Sequence, residues 1–407
     1  MRRIVPILAV IVVFVKMVHA NEPTPVMLQT HLQPPYQVMD SSVLRGRTPQ
    51  MVQCVFDRLK RPYVIAIAPR KRNRELIKQN RIDGFFLSIP DADLDETSIP
   101  TEPLALERWK VFRLKASQAS DLLPLDQIGA VLGANEEVWL KRHGRHLQAT
   151  IPNVKSLAKL LAKGRVSAAL SDEEAFLNAS RAVGLEEDDL ESIFVRYVPL
   201  VAYFSKTFIK NNPDFISQFN KALATCAHDT RAATQSERQQ LLEMAQSILM
   251  QYQNGIGSVE KTLQGRRLPK KILRQADADW KEAMAHDRQT ELMSDILANK
   301  GSEFLRKILE SHQGINEIFL TDKEGYNIAM NAPTSDYWQG DEHAFMALSS
   351  GQASYMSQIL FDHSAHAFQV QVSLPITNEK TSQLDGMLTI GFDVDKVFSK
   401  IDFLSNP

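Results

Sequence analysis

One short pattern occurs twice in this chain and constrains its fold more than any other feature. Lys78-Gln79-Asn80-Arg81-Ile82-Asp83-Gly84-Phe85-Phe86 is echoed by Ala162-Lys163-Gly164-Arg165-Val166-Ser167-Ala168-Ala169-Leu170. Each copy ends a helix, passes an Arg, and enters an apolar strand through a small residue. A helix-to-strand unit used twice predicts two similar lobes. Each would bring strand carboxyl ends to a shared crevice, where open α/β sheets place their ligands.

The surrounding sequence fits that plan. From Val26 to about Ala224 short apolar runs alternate with helical patterns, which predicts an α/β domain with largely parallel strands. Strands are expected at Val26–His31, Tyr63–Ala68, Gly84–Ser88, Trp109–Leu114, Ile128–Leu132, Ser167–Ser171 and Phe194–Phe204. Thr48-Pro49 reads as an N-cap with proline at the first helical position, ahead of an apolar stripe of Met51, Val52, Val55, Phe56 and Leu59. Asn153 opens a helix carrying Leu157, Leu160 and Leu161, which Gly164 stops. Asn212-Pro213 repeats the cap-and-proline device before Phe215, Phe219 and Leu223.

The amino terminus sets the compartment. Arg2 and Arg3 precede an apolar run from Ile4 to Val15, and Val18-His19-Ala20 offers small residues for cleavage, so residues 1–20 read as a secretory signal peptide. The run is too short for a membrane-spanning helix, which needs roughly 20 apolar residues. The expected product is periplasmic. Its parts are a domain over 21–253, a linker over 254–271 holding Gly255, Gly257, Gly265 and Pro269, and a second domain over 272–407. A net charge of −1 argues against nucleic acid as a partner. Cys54 and Cys226 are the only cysteines. In an oxidising compartment they can pair, and two separately buried thiols are the alternative.

Residues 24 to about 225 resemble the family 3 extracellular solute-binding proteins, of the type-II periplasmic binding fold. The resemblance rests on Pro34-Pro35-Tyr36, the Gly46-to-Leu59 helix entry, Asn80-Arg81-Ile82-Asp83-Gly84, Thr101-Glu102-Pro103-Leu104 and Gly164-Arg165-Val166-Ser167-Ala168-Ala169. It implies ligand capture by hinge closure of two lobes. The cleft residues it implies are Tyr36, Ser88, Asp91, Asn135 and Asp172. Amino-acid binders of the family carry a Ser/Thr-x-x-Arg motif whose guanidinium clamps the ligand carboxylate. Here those positions fall on Asp91 and Leu94, within the acidic run Asp91-Ala92-Asp93-Leu94-Asp95-Glu96. Asp172 stands where the family places the acid that receives a ligand amine. An amine or cationic ligand fits this set better than a standard α-amino acid clamp. A solvated acidic loop is the plainer reading of Asp91–Glu96. His31 is a further candidate for ligand stacking, Trp109 reads as packing, and Arg70, Lys71, Arg72 and Arg74 read as a solvated helix start.

Beyond Ser236 the pattern becomes helical, first through Leu241, Leu242, Ala245, Ile248 and Leu249, then from about Lys271 to His312. A helix that long packs either along its own domain or along a dimer partner, and the second alternative would give a homodimer through 271–312. The last hundred residues alternate with period two, as in Phe368, Val370, Val372 and Leu374, and in Leu388, Ile390, Phe392 and Val394. That pattern predicts antiparallel strands with one buried face. Further strands are expected at Ile315–Thr321, Tyr326–Asn331 and Tyr355–Leu360. A long helix followed by such a sheet resembles the Cache, or PDC-type, sensor domain, an α+β fold. The resemblance is carried by Thr321-Asp322-Lys323-Glu324-Gly325, Thr334 to Glu342, Phe361-Asp362-His363-Ser364-Ala365 and Leu388 to Val394. It implies a pocket lined by Asp336, Tyr337, Trp338 and Asp341, with Asp362 opposite. Capping and packing of the loop is the alternative.

No nucleophile elbow, His-Glu-x-x-His, phosphate loop or Gly-x-Gly-x-x-Gly is present, so no enzyme and no cofactor are expected. His363 and His366 beside Asp362 read as surface histidines rather than a metal site. Two functions follow. A periplasmic sensor would bind a metabolite and signal through a membrane receptor, since no transmembrane output follows the second domain before Pro407. The alternative is a solute-binding receptor that delivers its ligand to an ABC-type transporter.

Overall fold

The computed structural model describes residues 24–115, 128–144, 147–226, 232–263, 268–362, 367–378 and 381–399. The expected signal peptide, His363 and His366 lie outside them. Lobe 1 holds β1 (Val26–Thr30), the hairpin β2 (Val38–Asp40) and β3 (Val43–Arg45), β4 (Tyr63–Ile67), β5 (Gly84–Ser88) and β6 (Ser98–Pro100). Lobe 2 holds β7 (Ala105–Leu114), β8 (Ile128–Val131), β9 (Leu147–Ile151) and β10 (Ala168–Asp172). The long β11 (Leu190–Ser205) runs through both lobes.

Strand order is β4-β1-β5-β11-β6 in lobe 1 and β9-β8-β10-β7-β11 in lobe 2. In each, three parallel strands are followed by an antiparallel strand that arrives from the other lobe. One plan is therefore used twice, and the echoed segments end in the equivalent strands β5 and β10. The chain crosses between lobes at Thr101–Leu104 and at the Pro199–Val201 stretch of β11, beside a register shift between Val201 and Ala202.

Sequence chemistry explains the local choices. Gly84 opens β5 where an added Cβ would stand 2.8 Å from the Tyr203 carbonyl oxygen and from the Phe204 ring, which is why the strand is entered through a residue this small. The helix Arg47–Leu59 buries Met51, Val52, Val55 and Phe56 as its stripe predicts, but its N-cap is Gly46, not Thr48. Thr48 is buried, and its hydroxyl donates to the Tyr36 carbonyl (3.2 Å). The Asn153 side chain accepts from Ser156 N, as the capping reading expects. A disulfide joins Cys54 to Cys226, tying Arg47–Leu59 to the helix Phe215–Cys226. Strands β6 and β9 were not foreseen; Leu147–Ile151 and Ser98–Pro100 lack the long apolar runs that mark the others.

The second sheet is antiparallel, in the order β13-β12-β17-β16-β14, with β15 also on β16. Its strands are β12 (Ile315–Asp322), β13 (Asn327–Met330), β14 (Tyr355–Met356), β15 (Leu360–Asp362), β16 (Ala367–Thr377) and β17 (Leu384–Asp393). Counting β14 and β15 as one broken strand, the order is 2-1-5-4-3. One face, with Ile318, Leu320, Val372 and Ile390, buries against Leu241, Ala245, Ile248 and Tyr252 of the helix Gln235–Gly255 and Leu305 and Ile308 of Lys300–Ser311. The other face packs Phe319, Met330 and Met387 on Trp280, Phe345 and Leu348.

Two expectations change here. The segment 271–312 is not one helix but three, Lys270–Ala285, Glu291–Leu297 and Lys300–Ser311. The first ends at Ala285, beyond which Asp287 enters the left-handed region with φ 51°, and Thr290 and Asn299 cap the next two. Their apolar residues Leu273, Trp280, Met293, Ile296, Leu305 and Ile308 are buried within this chain, while Ile272 and Met284 of the first helix are exposed. The helix Gln235–Gly255 and the short helix Val259–Leu263, placed by sequence before or within a linker, bury Tyr252, Val259 and Leu263 in the second core.

The second core also reaches lobe 2. Phe194 and Tyr197 of β11 belong to it, Phe194 meeting Phe398 edge-on at 6.1 Å. Tyr197 N donates to Asp395 Oδ1 (2.7 Å). Burial raises the Asp395 carboxyl to about 6.

Candidate functional site

The crevice between the lobes is built where strands end. After β1 come His31, Gln33 and Tyr36; after β4 comes Arg70; at the end of β10 stands Asp172; and Asn135 and Glu136 open the helix Asn135–Arg142 after β8. Glu107 and Trp109 project from β7, which enters lobe 2 from the first crossover. All except Gln33 and Arg70, which are half-buried, are buried.

These side chains join the lobes to each other. The Tyr36 hydroxyl of lobe 1 donates to Asp172 Oδ1 of lobe 2 (3.0 Å). Arg70 Nη1 donates to Asn135 Oδ1 (2.8 Å), while its Nη2 donates to Gln33 Oε1 (2.9 Å) and its Nε to His31 Nε2 (3.2 Å). Gln33 Nε2 donates to Glu107 Oε1, and at the rim Arg47 bridges to Glu174. Gly46 helps to shape the lobe 1 wall. Its φ of 127° is open to glycine, and a Cβ there would lie 2.2 Å from the Tyr36 carbonyl oxygen.

Charge in this space is unbalanced. Three carboxyl groups, Glu107, Glu136 and Asp172, are buried here, and the Arg70 guanidinium acts on Glu107 and Glu136. Burial drives all three upward. Glu107 is lifted well above the carboxylate range by burial and then by Glu136 and Asp172. Burial likewise raises Glu136 and brings Asp172 to about 7, against three donors that favour its ionised form: Ala175 N, Arg108 N and the Tyr36 hydroxyl. His31 moves the other way, to about 4, through burial and the neighbouring Arg70. Its Nε2 lies within hydrogen-bond distance of Arg70 and of Gln33 Oε1 (3.0 Å), and its Nδ1 is buried without a partner.

The crevice connects to the second core through Arg108, whose backbone N donates to Asp172 Oδ1. Its guanidinium bridges Glu173 (2.7 Å), the Tyr197 hydroxyl (3.0 Å) and Glu237 (2.9 Å). Glu237 is the capping-box residue of Gln235–Gly255, which packs on the second sheet.

Of the cleft residues read from sequence, Tyr36, Asn135 and Asp172 come together here. Ser88 is buried at the end of β5, its hydroxyl donating to the Ile89 carbonyl. Asp91 lies on the rim. Burial opposes its ionisation, yet Arg74 at 3.2 Å holds the carboxyl below its usual range, and Arg142 of lobe 2 stands at 3.8 Å. Leu94 is fully buried among Ile77, Phe85 and Tyr203, so no guanidinium enters from that position; Arg70, read from sequence as a solvated helix start, supplies it instead. Glu107 was missed. Its signal is the alternation in β7, which puts a Glu on the buried phase between Ala105 and Trp109.

In the second domain the predicted residues divide. The Asp336 carboxylate accepts from Gln339 Nε2 (2.6 Å) and sits 3.7 Å from Lys281. Trp338 Nε1 donates to the Glu324 carbonyl, and Asp341 is exposed. Tyr337 stacks on Trp280 at 5.4 Å and lines a cavity of about 540 Å³ beside Tyr326, Asp295, Asp322 and Asn327. The Asp336 and Trp338 side chains therefore brace the loop, and Tyr337 reaches a cavity. The Asp362 side chain lies outside the described residues.

No protein-family model matches this chain. No curated protein matches it either. Among solved structures it is similar to a histidine kinase sensor domain with similarity to periplasmic binding proteins, at TM-score 0.43 and 14% identity over 50% of this chain and 90% of that one. It is also similar to the GluR0 ligand-binding core from Nostoc punctiforme in complex with (L)-glutamate (TM-score 0.40, 16% identity, 49% and 92% covered). The arginine-, lysine-, histidine-binding protein ArtJ from Geobacillus stearothermophilus is a third (0.40, 14%, 49% and 88%).

Proposed function

We propose that the two-lobed domain captures a small cationic metabolite, an amine or guanidinium compound, and that lobe closure is passed to the second domain for sensing. One observation carries this reading: Glu107, Glu136 and Asp172 are buried between the lobes, and the Arg70 guanidinium acts on the first two of them. A buried carboxyl group is held either by a proton or by a cation. A ligand amine placed against Asp172 would exchange the first state for the second. It would take the place of the Tyr36 hydroxyl, so binding requires the lobes to part and close again around the ligand.

The sensing part rests on the attachment of lobe 2. Arg108 joins the Asp172 backbone-bonded corner to Glu237, and Tyr197 joins β11 to Asp395, so lobe 2 and the second sheet form one packed unit against which lobe 1 moves. An antiparallel sheet with helices packed on both faces supports reading the second domain as Cache-like. On this reading the mature protein is periplasmic and engages a membrane signalling partner. No helix among the described residues is long and apolar enough to cross a membrane.

The test is a thermal-shift screen of the full mature chain against amines, guanidinium compounds, amino acids and carboxylates. A ligand that binds only the folded state raises the midpoint with concentration. The expected result is a shift by at least one cationic compound that is lost in Asp172→Asn. A panel that shifts nothing, or shifts only with carboxylates, overturns the reading.

A further inference from the structure

A second cavity, of about 440 Å³, lies at the junction of both lobes and the second sheet. Trp109, Trp139 and Val198 wall it from lobe 2, Pro199 and Val201 from the second crossover, and Phe361 and Phe368 from β15 and β16. Ile89 closes it from lobe 1. The two indoles meet edge-on at 6.0 Å. The volume is within the range of small-molecule sites, roughly 300–1,000 Å³, and aromatic walls with few polar groups are their usual lining.

The polar groups on this lining are of opposite sign to those of the crevice. Arg142 and Arg196 contribute guanidiniums, and Glu102 contributes the one carboxylate. Arg196 Nε donates to the Tyr197 carbonyl, and Arg142 stands 3.8 Å from Asp91. A guanidinium beside an aromatic wall recognises a flat ring that bears an anion, by stacking and by charge-assisted hydrogen bonding. Trp109 belongs to both sites, since its Nε1 donates to Glu107 Oε2 (2.9 Å) while its ring lines the cavity.

We propose that this cavity is a second ligand site, for an apolar ring compound carrying an anionic group. It is distinct from the crevice and does not depend on the amine reading. Both crossovers contribute wall residues, so an occupant touches the segments that must bend when the lobes move.

The test uses anilinonaphthalene sulfonate and the uncharged phenylnaphthylamine on the full chain, read by energy transfer from tryptophan and by equilibrium dialysis. The expected result is saturable one-to-one binding of the sulfonate, with the neutral compound about tenfold weaker, the discrimination one charge-assisted pair supplies. Val198→Phe, which narrows the cavity, weakens that binding. Arg142→Gln with Arg196→Gln, both near the surface, weakens the sulfonate about tenfold and leaves the neutral compound unchanged. Non-saturating binding, equal affinity for the two probes, or wild-type affinity in the double variant overturns the proposal, whether or not Val198→Phe folds.

Discussion

The pH dependence of stability offers a quantitative test, because His31 and Asp172 are displaced in opposite directions within one crevice. Asp172 rises from 3.8 to about 7 on folding. Between those values the folded chain binds the extra proton, so this contribution is present at low pH and is lost as pH rises through the window. Three pKa units at 1.36 kcal/mol each give about 4 kcal/mol. His31 falls from 6.5 to about 4, so between those values the unfolded chain binds the extra proton and stability rises with pH, by about 3 kcal/mol. Differences between variants isolate the two effects. The raised Glu107, Glu136 and Asp395 carboxyls also lower stability as pH rises, and Asp172→Asn, by removing one of the charges that lift Glu107, eases that group's share in the same direction as its own. Urea denaturation of wild type, Asp172→Asn and His31→Asn across pH 4 to 7.5 supplies the curves. The stability of Asp172→Asn relative to wild type should climb by up to about 4 kcal/mol from pH 4 to 7. That of His31→Asn should decline by about 3 kcal/mol from pH 4 to 6.5. Parallel curves, or slopes of the same sign, would refute a crevice that buries both groups.

Three further outcomes follow from the packing. Reduction of Cys54–Cys226, or Cys54→Ser, should lower stability by about 2–4 kcal/mol, because the bond closes a loop with a separation of 172 residues; an unchanged melting midpoint under reductant would count against it. Trp280→Ala should cost about 3–5 kcal/mol, since that fully buried indole stacks on Tyr337 and donates to the Thr334 carbonyl (2.9 Å), and differential calorimetry reads the loss. Gly46→Ala should weaken any ligand binding at the crevice and lower stability, because its Cβ meets the Tyr36 carbonyl at a φ open to glycine; titration of the variant against wild type measures both.

The two-lobed plan was legible because parallel-strand units carry a strong local signature. The paired echo ending at β5 and β10 predicted equivalent strands, and both occupy the same place in their lobes. What escaped was whatever depends on distant packing. Leu147–Ile151 is a strand because β8 offers it a parallel edge, not because of its own apolar content. The 271–312 region read as continuous because Asp287 carries no helix-breaking signal, yet its backbone turns into the left-handed region. In the site, Tyr36, Asn135 and Asp172 were found at strand and helix ends, where family resemblance points. Arg70 was not, since nothing local separates a guanidinium that turns inward from the neighbouring exposed Lys71 and Arg72. Its role comes from His31, Gln33 and Asn135, which chain folding brings to it.

The central claim is that a cation replaces a proton between the lobes, and calorimetric titration with the amine found by thermal shift measures that exchange directly. Run at pH 6 in two buffers of different ionisation enthalpy, it should show release of about one proton per amine bound, falling toward zero by pH 8.5 as Asp172, at about 7, empties of its own accord. Binding with no proton release at pH 6, or with undiminished affinity in Asp172→Asn, would contradict the account.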